Sequence, residues 1–147
     1  MKLREREELI TRFFAYGDGL EGYKDRPSDF LFAYAKEMNG WFQEHPEEVE
    51  QYRKRFKDVM EFCKRVFPRG FRKTQKDTRT PRTRFEALAI GTELALAARP
   101  DLIGNTPDTS EWLASDEFLR LTKSGGANPI TALKGRLYFV RDKLVGA

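Results

Sequence analysis

Cysteine and histidine are almost missing from this chain, with one of each in 147 residues. A lone cysteine, Cys63, excludes an internal disulfide, and with His45 as the sole histidine the chain cannot assemble a Cys/His zinc site by itself. Long apolar runs are missing too. None approaches the ~20 residues needed to cross a bilayer, so no membrane span is expected. The opening from Met1 to Glu8 is charged almost throughout, without an apolar signal core or a small-residue cleavage site, which points to a reducing cytoplasm. No turn dipeptide is flanked by alternating β-branched runs, and no segment repeats, which argues against sheets and solenoids.

What is present is aromatic bulk. Twelve Phe, five Tyr and two Trp let a hydrophobic fraction of only 39% fill a core. A chain of this length removes roughly 68–70% of its unfolded surface from water on folding and needs no division, so residues 1–147 read as a single domain.

Helical periodicity runs along it. Leu9, Ile10, Phe13 and Phe14 share a face of a first helix ended by Gly17. Ser28 is placed to cap a second, whose stripe of Phe30, Leu31, Tyr34 and Met38 runs to a stop at Asn39-Gly40, with Trp41 and Phe42 plugging the corner. Pro46 and the acids Glu47, Glu48 and Glu50 suit the start of a third helix. Its stripe is Val49, Tyr52, Phe56, Val59, Met60, Cys63, Val66 and Phe67. Thr83 and Glu86 have capping-box spacing at the start of a fourth helix, whose alanines and Gly91 permit close approach by a neighbour and mark it as central. A helix follows Asp108, and a last one, with Asn128 as cap and Pro129 in its first turn, carries Ile130, Leu133, Leu137, Val140 and Leu144. The expected fold is all-α, a single compact multi-helix domain of about six helices.

Charge is unevenly spread. From Lys64 to Arg84 there are nine basic residues and one acid, Asp77, a balance of +8 in a chain whose total is +4, so the remainder sums to −4. Such a strip expects an anionic partner, and nucleic acid is the leading one, with DNA ahead of RNA. The candidate binding residues are Arg65, Arg69, Arg72, Lys73, Lys76, Arg79, Arg82 and Arg84, joined by Lys134 and Arg136 if the last helix faces the strip. Phe67 and Phe71 lie within it and offer apolar or stacking contacts. Most of the strip, residues 68–83, reads as a loop between the third and fourth helices.

Catalytic and metal chemistry have no comparable signal. His45 precedes Pro46 at a helix start, where a turn role is expected. Cys63 lies on an apolar face and reads as a buried thiol. Glu47, Glu48 and Glu50 point around a helix and do not converge on a metal. No nucleophile has an activating context, so no enzymatic role, cofactor or metal is expected. Ser124-Gly125-Gly126 before the last helix lacks the strand and the Gly-Lys-Ser/Thr of a phosphate loop and reads as a connection.

Taken in order, Glu7 to Ala15, Tyr23, Phe30 to Tyr34, Phe67 to Phe71, Arg84 to Leu88 and Asn128 to Arg136 resemble the C-terminal helical half of the GmrSD-type restriction endonuclease N-terminal domain family. That resemblance spans nearly the whole chain and implies a place in bacterial or phage-defence systems. In the family the first half is ParB-like and carries Asp-Gly-Gln-Gln-Arg. Here Asp18-Gly19 is followed by Leu20, and the signature is absent. The resemblance therefore implies a non-catalytic accessory half, either a fragment or the partner of a separate ParB-like subunit. Alternatives are an interaction module that docks such a subunit through exposed aromatics and the Ile130 to Leu144 stripe, or a phage-encoded regulator of such a system.

Overall fold

The helical periodicity is expressed throughout. In the computed structural model, which describes residues 3–147, the regular elements are α1 (Leu3–Asp18), α2 (Pro27–Glu44), α3 (Val49–Val66), α4 (82–98), α5 (Ser110–Leu113), α6 (Asp116–Leu121) and α7 (Ile130–Val145). Two 3₁₀ turns, Pro46–Glu48 and Pro100–Gly104, precede α3 and follow α4. No strand occurs among the described residues, so the domain is all-α. The seventh helix arises where a single one was expected after Asp108. The chain breaks at Ala114-Ser115, and the Ser115 hydroxyl accepts from the Phe118 amide at 3.1 Å to start α6 afresh.

The centre is α4, as the alanine run predicted. Residues 83–93 are buried without interruption, and α1, α3 and α7 pack around them. A Cβ on Gly91 would stand 2.6 Å from Val140 Cβ and 2.9 Å from the Leu137 carbonyl oxygen, so α4 and α7 approach backbone to backbone. Leu133, Leu137, Val140 and Leu144 of α7 are fully buried there. Each such side chain contributes about 1.5–3 kcal/mol of transfer free energy. Four of the five residues of the α7 stripe are therefore internal, and Ile130 at its start is half-buried. Along α4 the helix changes character: Arg82–Phe85 and Gly91–Ala98 are α-helical, but Glu86–Ile90 between them is a π segment, a widened turn that often marks a functional or strained position.

Several local expectations give way to longer-range contacts. α1 buries Arg12, Phe13, Ala15 and Tyr16, so its inner face is rotated away from Ile10, which is 39% exposed. α2 takes Arg26 as N-cap and Pro27 as its first residue instead of starting at Ser28. It also runs through Asn39-Gly40 to Glu44, because a helical glycine costs only about 1 kcal/mol against alanine. The corner expected from Trp41 and Phe42 forms one turn later, with Trp41 stacked on His45 at 3.9 Å and Phe42 edge-on to Tyr52 at 5.0 Å. α3 follows its predicted stripe, half-buried at Val49, Tyr52, Phe56 and Met60 and buried from Cys63 on, and adds Phe62, which is fully buried.

The capping box does not form. Thr83 Oγ1 donates to the Thr122 carbonyl oxygen, and the Glu86 carboxylate is held by two arginines. Asn128 does not cap α7 either; the Ile130 amide donates to Asp25 Oδ1 at 2.7 Å, while the Tyr23 hydroxyl donates to the Asn128 carbonyl oxygen at 2.6 Å. Asp25 stands at φ +61°, a left-handed conformation that Asp tolerates better than most residues. None of the described helices is long and apolar enough to cross a membrane.

Candidate nucleic-acid interface

The basic strip joins α3 to α4 through a loop built from short turns. Phe67 ends α3 with its amide on the Cys63 carbonyl oxygen at 2.8 Å, and the Gly70 amide reaches back to Phe67 at 2.9 Å. Gly70 sits at φ +60°, where a side chain would be strained, so glycine makes this reversal possible. Further on, the Thr74 amide donates to Asp77 Oδ2 at 3.0 Å and the Asp77 amide to the Thr74 carbonyl oxygen at 3.3 Å. The single acid of the strip is thereby used on backbone. It forms no ion pair among the described residues.

Phe67 and Phe71 do not project toward a ligand as expected. Phe67 is buried edge-on against Trp112 at 5.9 Å, and Phe71 packs edge-on against Phe85 at 5.0 Å. They pin the loop to the core at two points. Between and beyond these anchors Arg69, Arg72, Lys73, Lys76, Arg79 and Arg82 are all exposed, and none pairs with a carboxylate among the described residues. The loop thus concentrates exposed positive charge on one connection.

Four other expected residues are placed differently. Arg65 is exposed but spent: Nη2 donates to the carbonyl oxygens of Ile103 at 2.6 Å and Asn105 at 2.8 Å, and Nε to Thr106 Oγ1 at 3.1 Å. Arg136 leaves the surface set altogether, because it is buried and donates from Nε and Nη2 to Glu86 Oε1 at 3.1 and 2.9 Å. Arg84 is also buried, with its guanidinium over the Phe118 ring at 5.1 Å. Lys134 is exposed on α7, and no hydrogen bond or ion pair ties it to the loop.

Two charged clusters were not anticipated. In the first, Glu86 bridges Arg136 and Arg12, whose Nη1 donates to Glu86 Oε2 at 2.9 Å and to the Tyr16 hydroxyl at 3.2 Å. In the second, Asp18 accepts from the Tyr34 hydroxyl at 2.6 Å and pairs with Arg55 at 2.9 Å, and Arg55 Nε lies against Glu93 Oε1. Burial lifts the Glu93 carboxyl to about 7, overcoming the opposite pull of Arg55 and assisted by Asp18. Glu93 Oε2 has no hydrogen-bond partner and rests on Gly17, where a Cβ would come within 2.1 Å of it. These clusters staple α1 to α4 and α7, and α1, α2 and α3 to α4.

A signal for both clusters exists in the sequence. Arg12, Glu86, Glu93 and Arg136 each occupy a position on an otherwise apolar helix face, where a charge is expensive unless paired. Their pairing partners across the fold, which lie 38 to 74 residues away, are not readable from that pattern.

The remaining candidates are inert. Cys63 is buried beside Thr92 Oγ1 at 3.6 Å, and burial pushes its thiol up to about 12. The His45 ring stacks on Trp41 at the α2 corner. A cleft of about 930 Å³ between the end of α1 and α2 carries Lys24 and Arg26 against Asp18, Glu21, Asp29 and Glu37. Its excess of acids does not favour a polyanion. Compared with known proteins, the chain matches no family model, no curated protein and no solved structure.

Proposed function

We propose that this chain is a non-catalytic helical domain that binds nucleic acid through the loop between α3 and α4, acting in the cytoplasm. One observation carries the reading: Arg69, Arg72, Lys73, Lys76, Arg79 and Arg82 are exposed together without a carboxylate partner among the described residues, on and beside a loop anchored near its start by Phe67 and Phe71. Unpaired surface cations release condensed counterions when they meet phosphates, which drives sequence-independent binding. If about five of them each engage a phosphate, log K falls against log salt with a slope of roughly −4 to −5. The resemblance carried by Glu7 to Ala15, Arg84 to Leu88 and Asn128 to Arg136 supports a place for it as the accessory half of a GmrSD-like defence protein. In that arrangement catalysis belongs to a ParB-like half on another polypeptide or segment.

The test is a salt titration of binding to duplex DNA, with RNA as the second substrate, for the native chain and for a variant with Arg72, Lys76, Arg79 and Arg82 all changed to Gln. Loss of four phosphate contacts flattens the slope by about 3 to 4 and weakens binding at low salt. Equal affinity and equal slope for the two proteins would eliminate the reading.

One observation favours a second reading, docking of a ParB-like subunit: Phe32 is 73% exposed on α2, a helix of which only Leu31 is buried. The four internal residues of the terminal stripe do not contribute to it. Co-purification with such a subunit that survives Phe32→Ser would remove α2 from that role.

A further inference from the structure

Three of the arginines in this protein are more than nine-tenths buried, and two of them, Arg12 and Arg136, share the carboxylate of Glu86. Arg84 is the exception. It is 7% exposed, its Nε is buried without a hydrogen-bond partner, and no acid among the described residues pairs with it. Only the face of Phe118 offsets its charge. An unpaired buried guanidinium is costly, and a structural role would be served better by an apolar residue.

Arg84 lines a cavity of about 390 Å³ together with Arg69 and Lys73. That volume is within the ~300–1,000 Å³ typical of small-ligand sites. Three cations converge there, and no carboxylate lines it. Of the acids near the lining segments in sequence, Asp77 is committed to the Thr74 amide, Asp108 to Ser110 and Glu86 to Arg12 and Arg136, while Glu111, Asp116 and Glu117 are exposed and do not line the cavity. Arg69 Nη1 donates to the Lys73 carbonyl oxygen at 3.2 Å, so the loop turns back on itself between two of the lining residues. Leu113 and the exposed Leu119 supply an apolar wall. Burial and the neighbouring charge of Arg69 both act to lower the pKa of Arg84, as expected where like charges are gathered without a counterion.

We propose that this cavity receives a terminal phosphate monoester, with Arg84 at its floor and Arg69 and Lys73 at its rim, so that the loop captures the phosphorylated end of a nucleic-acid strand. The inference rests on the nucleic-acid reading above for the source of the phosphate. A monoester carries about −1.5 to −2 charge and three free oxygens, whereas an internal diester carries one charge and must leave the cavity by two ester links. The monoester therefore matches three unpaired cations in a concave site, and its terminal nucleoside can rest on the apolar wall. A free nucleoside monophosphate has the same chemistry.

Fluorescence anisotropy on the full chain separates these cases, using one single-stranded oligonucleotide with a phosphate at its 5′ end, at its 3′ end or at neither. The expected result is at least tenfold tighter binding of one phosphorylated strand. Arg84→Met should bring that strand down to the affinity of the hydroxyl-ended one, with the ligand-free Tm equal to or above that of the native chain. A structural arginine would instead lower it. Lys73→Gln, on an exposed position, should reduce the same preference without relying on a core substitution. Equal affinity for all three strands, with a steep salt slope retained, overturns the cavity assignment and leaves the proposed function standing. Binding of no strand, with a Tm rise in a nucleoside monophosphate that Arg84→Met abolishes, overturns strand capture and the proposed function together and identifies the free monophosphate as ligand.

Discussion

Glu86 and Arg136 lie fifty residues apart in sequence, yet the carboxylate Oε1 accepts from both Nε and Nη2 of the guanidinium, at 3.1 and 2.9 Å. The other oxygen, Oε2, accepts from Arg12. One carboxylate at the first position of the π segment thus neutralises arginines from α1 and α7. Without it, Arg136 would be buried and unpaired, and Arg12 would keep only Glu8, one turn away on α1 at 2.9 Å. Glu86→Gln is expected to destabilise the fold by about 3–5 kcal/mol, since breaking a buried pair strands its partners. Replacing all three charges with Met and Leu is expected to be neutral or stabilising. Urea denaturation followed by circular dichroism compares them, and a single variant as stable as the native chain would show that the triad bears no such cost.

Gly91 is where α4 and α7 touch. A methyl group there meets Val140 Cβ at 2.6 Å and the Leu137 backbone at 2.9 Å, and neither can swing aside. Gly91→Ala is therefore expected to cost about 1–3 kcal/mol by forcing the helices apart. Gly40→Ala in α2, where the added carbon meets open space, is expected to gain about 0.5–1 kcal/mol. Opposite shifts in Tm for the two substitutions are the readout.

Glu93 gives the fold a pH dependence. Its folded pKa, raised by burial to about 7, lies above that of an unfolded glutamate, so the native state holds the proton more tightly. The stabilisation from this group is fully present below about pH 4. It is lost as pH rises through about 7. The upper bound is about 3 kcal/mol, with the Arg55 contact reducing it. Glu93→Gln should remove this slope between pH 4.5 and 7. Chemical denaturation at several pH values measures it, and parallel profiles for the two proteins would contradict the assignment.

Asp25 holds the first turn of the last helix from across the chain. Asp25→Ala gives up the bond to the Ile130 amide while keeping the φ of +61°, and is expected to cost about 1 kcal/mol or more. Asp25→Asn keeps an acceptor oxygen and tolerates that φ, so it should retain most of the stability. Hydrogen exchange at the amides of Ile130 to Leu133 localises the effect.

The periodic apolar residues of α3 and α7, the alanines and glycine that make α4 central, and the concentration of charge between α3 and α4 were all legible along the chain. These features depend on neighbours within a turn or two, and side chains three and four apart share a face whatever lies opposite. Where a local signal competed with a distant partner, the local reading failed. Thr83 and Glu86 have capping-box spacing, but Thr122 and two arginines took their side chains. Asn128 stands where a cap belongs, and Asp25 occupies the role from 105 residues away.

The composition of the basic strip likewise determined that this protein presents +8 over a short segment, because charge is additive and needs no geometry. Tertiary structure decided which of those cations are free. It spent Arg65 on loop carbonyl oxygens, turned Phe67 and Phe71 inward, buried Arg136 against Glu86, and set Arg84 beneath Arg69 and Lys73 with no acid to meet it. The reason is that pairing and desolvation act over a few ångströms in space, and only the packing of α3, α4 and α7 brings those residues within that distance.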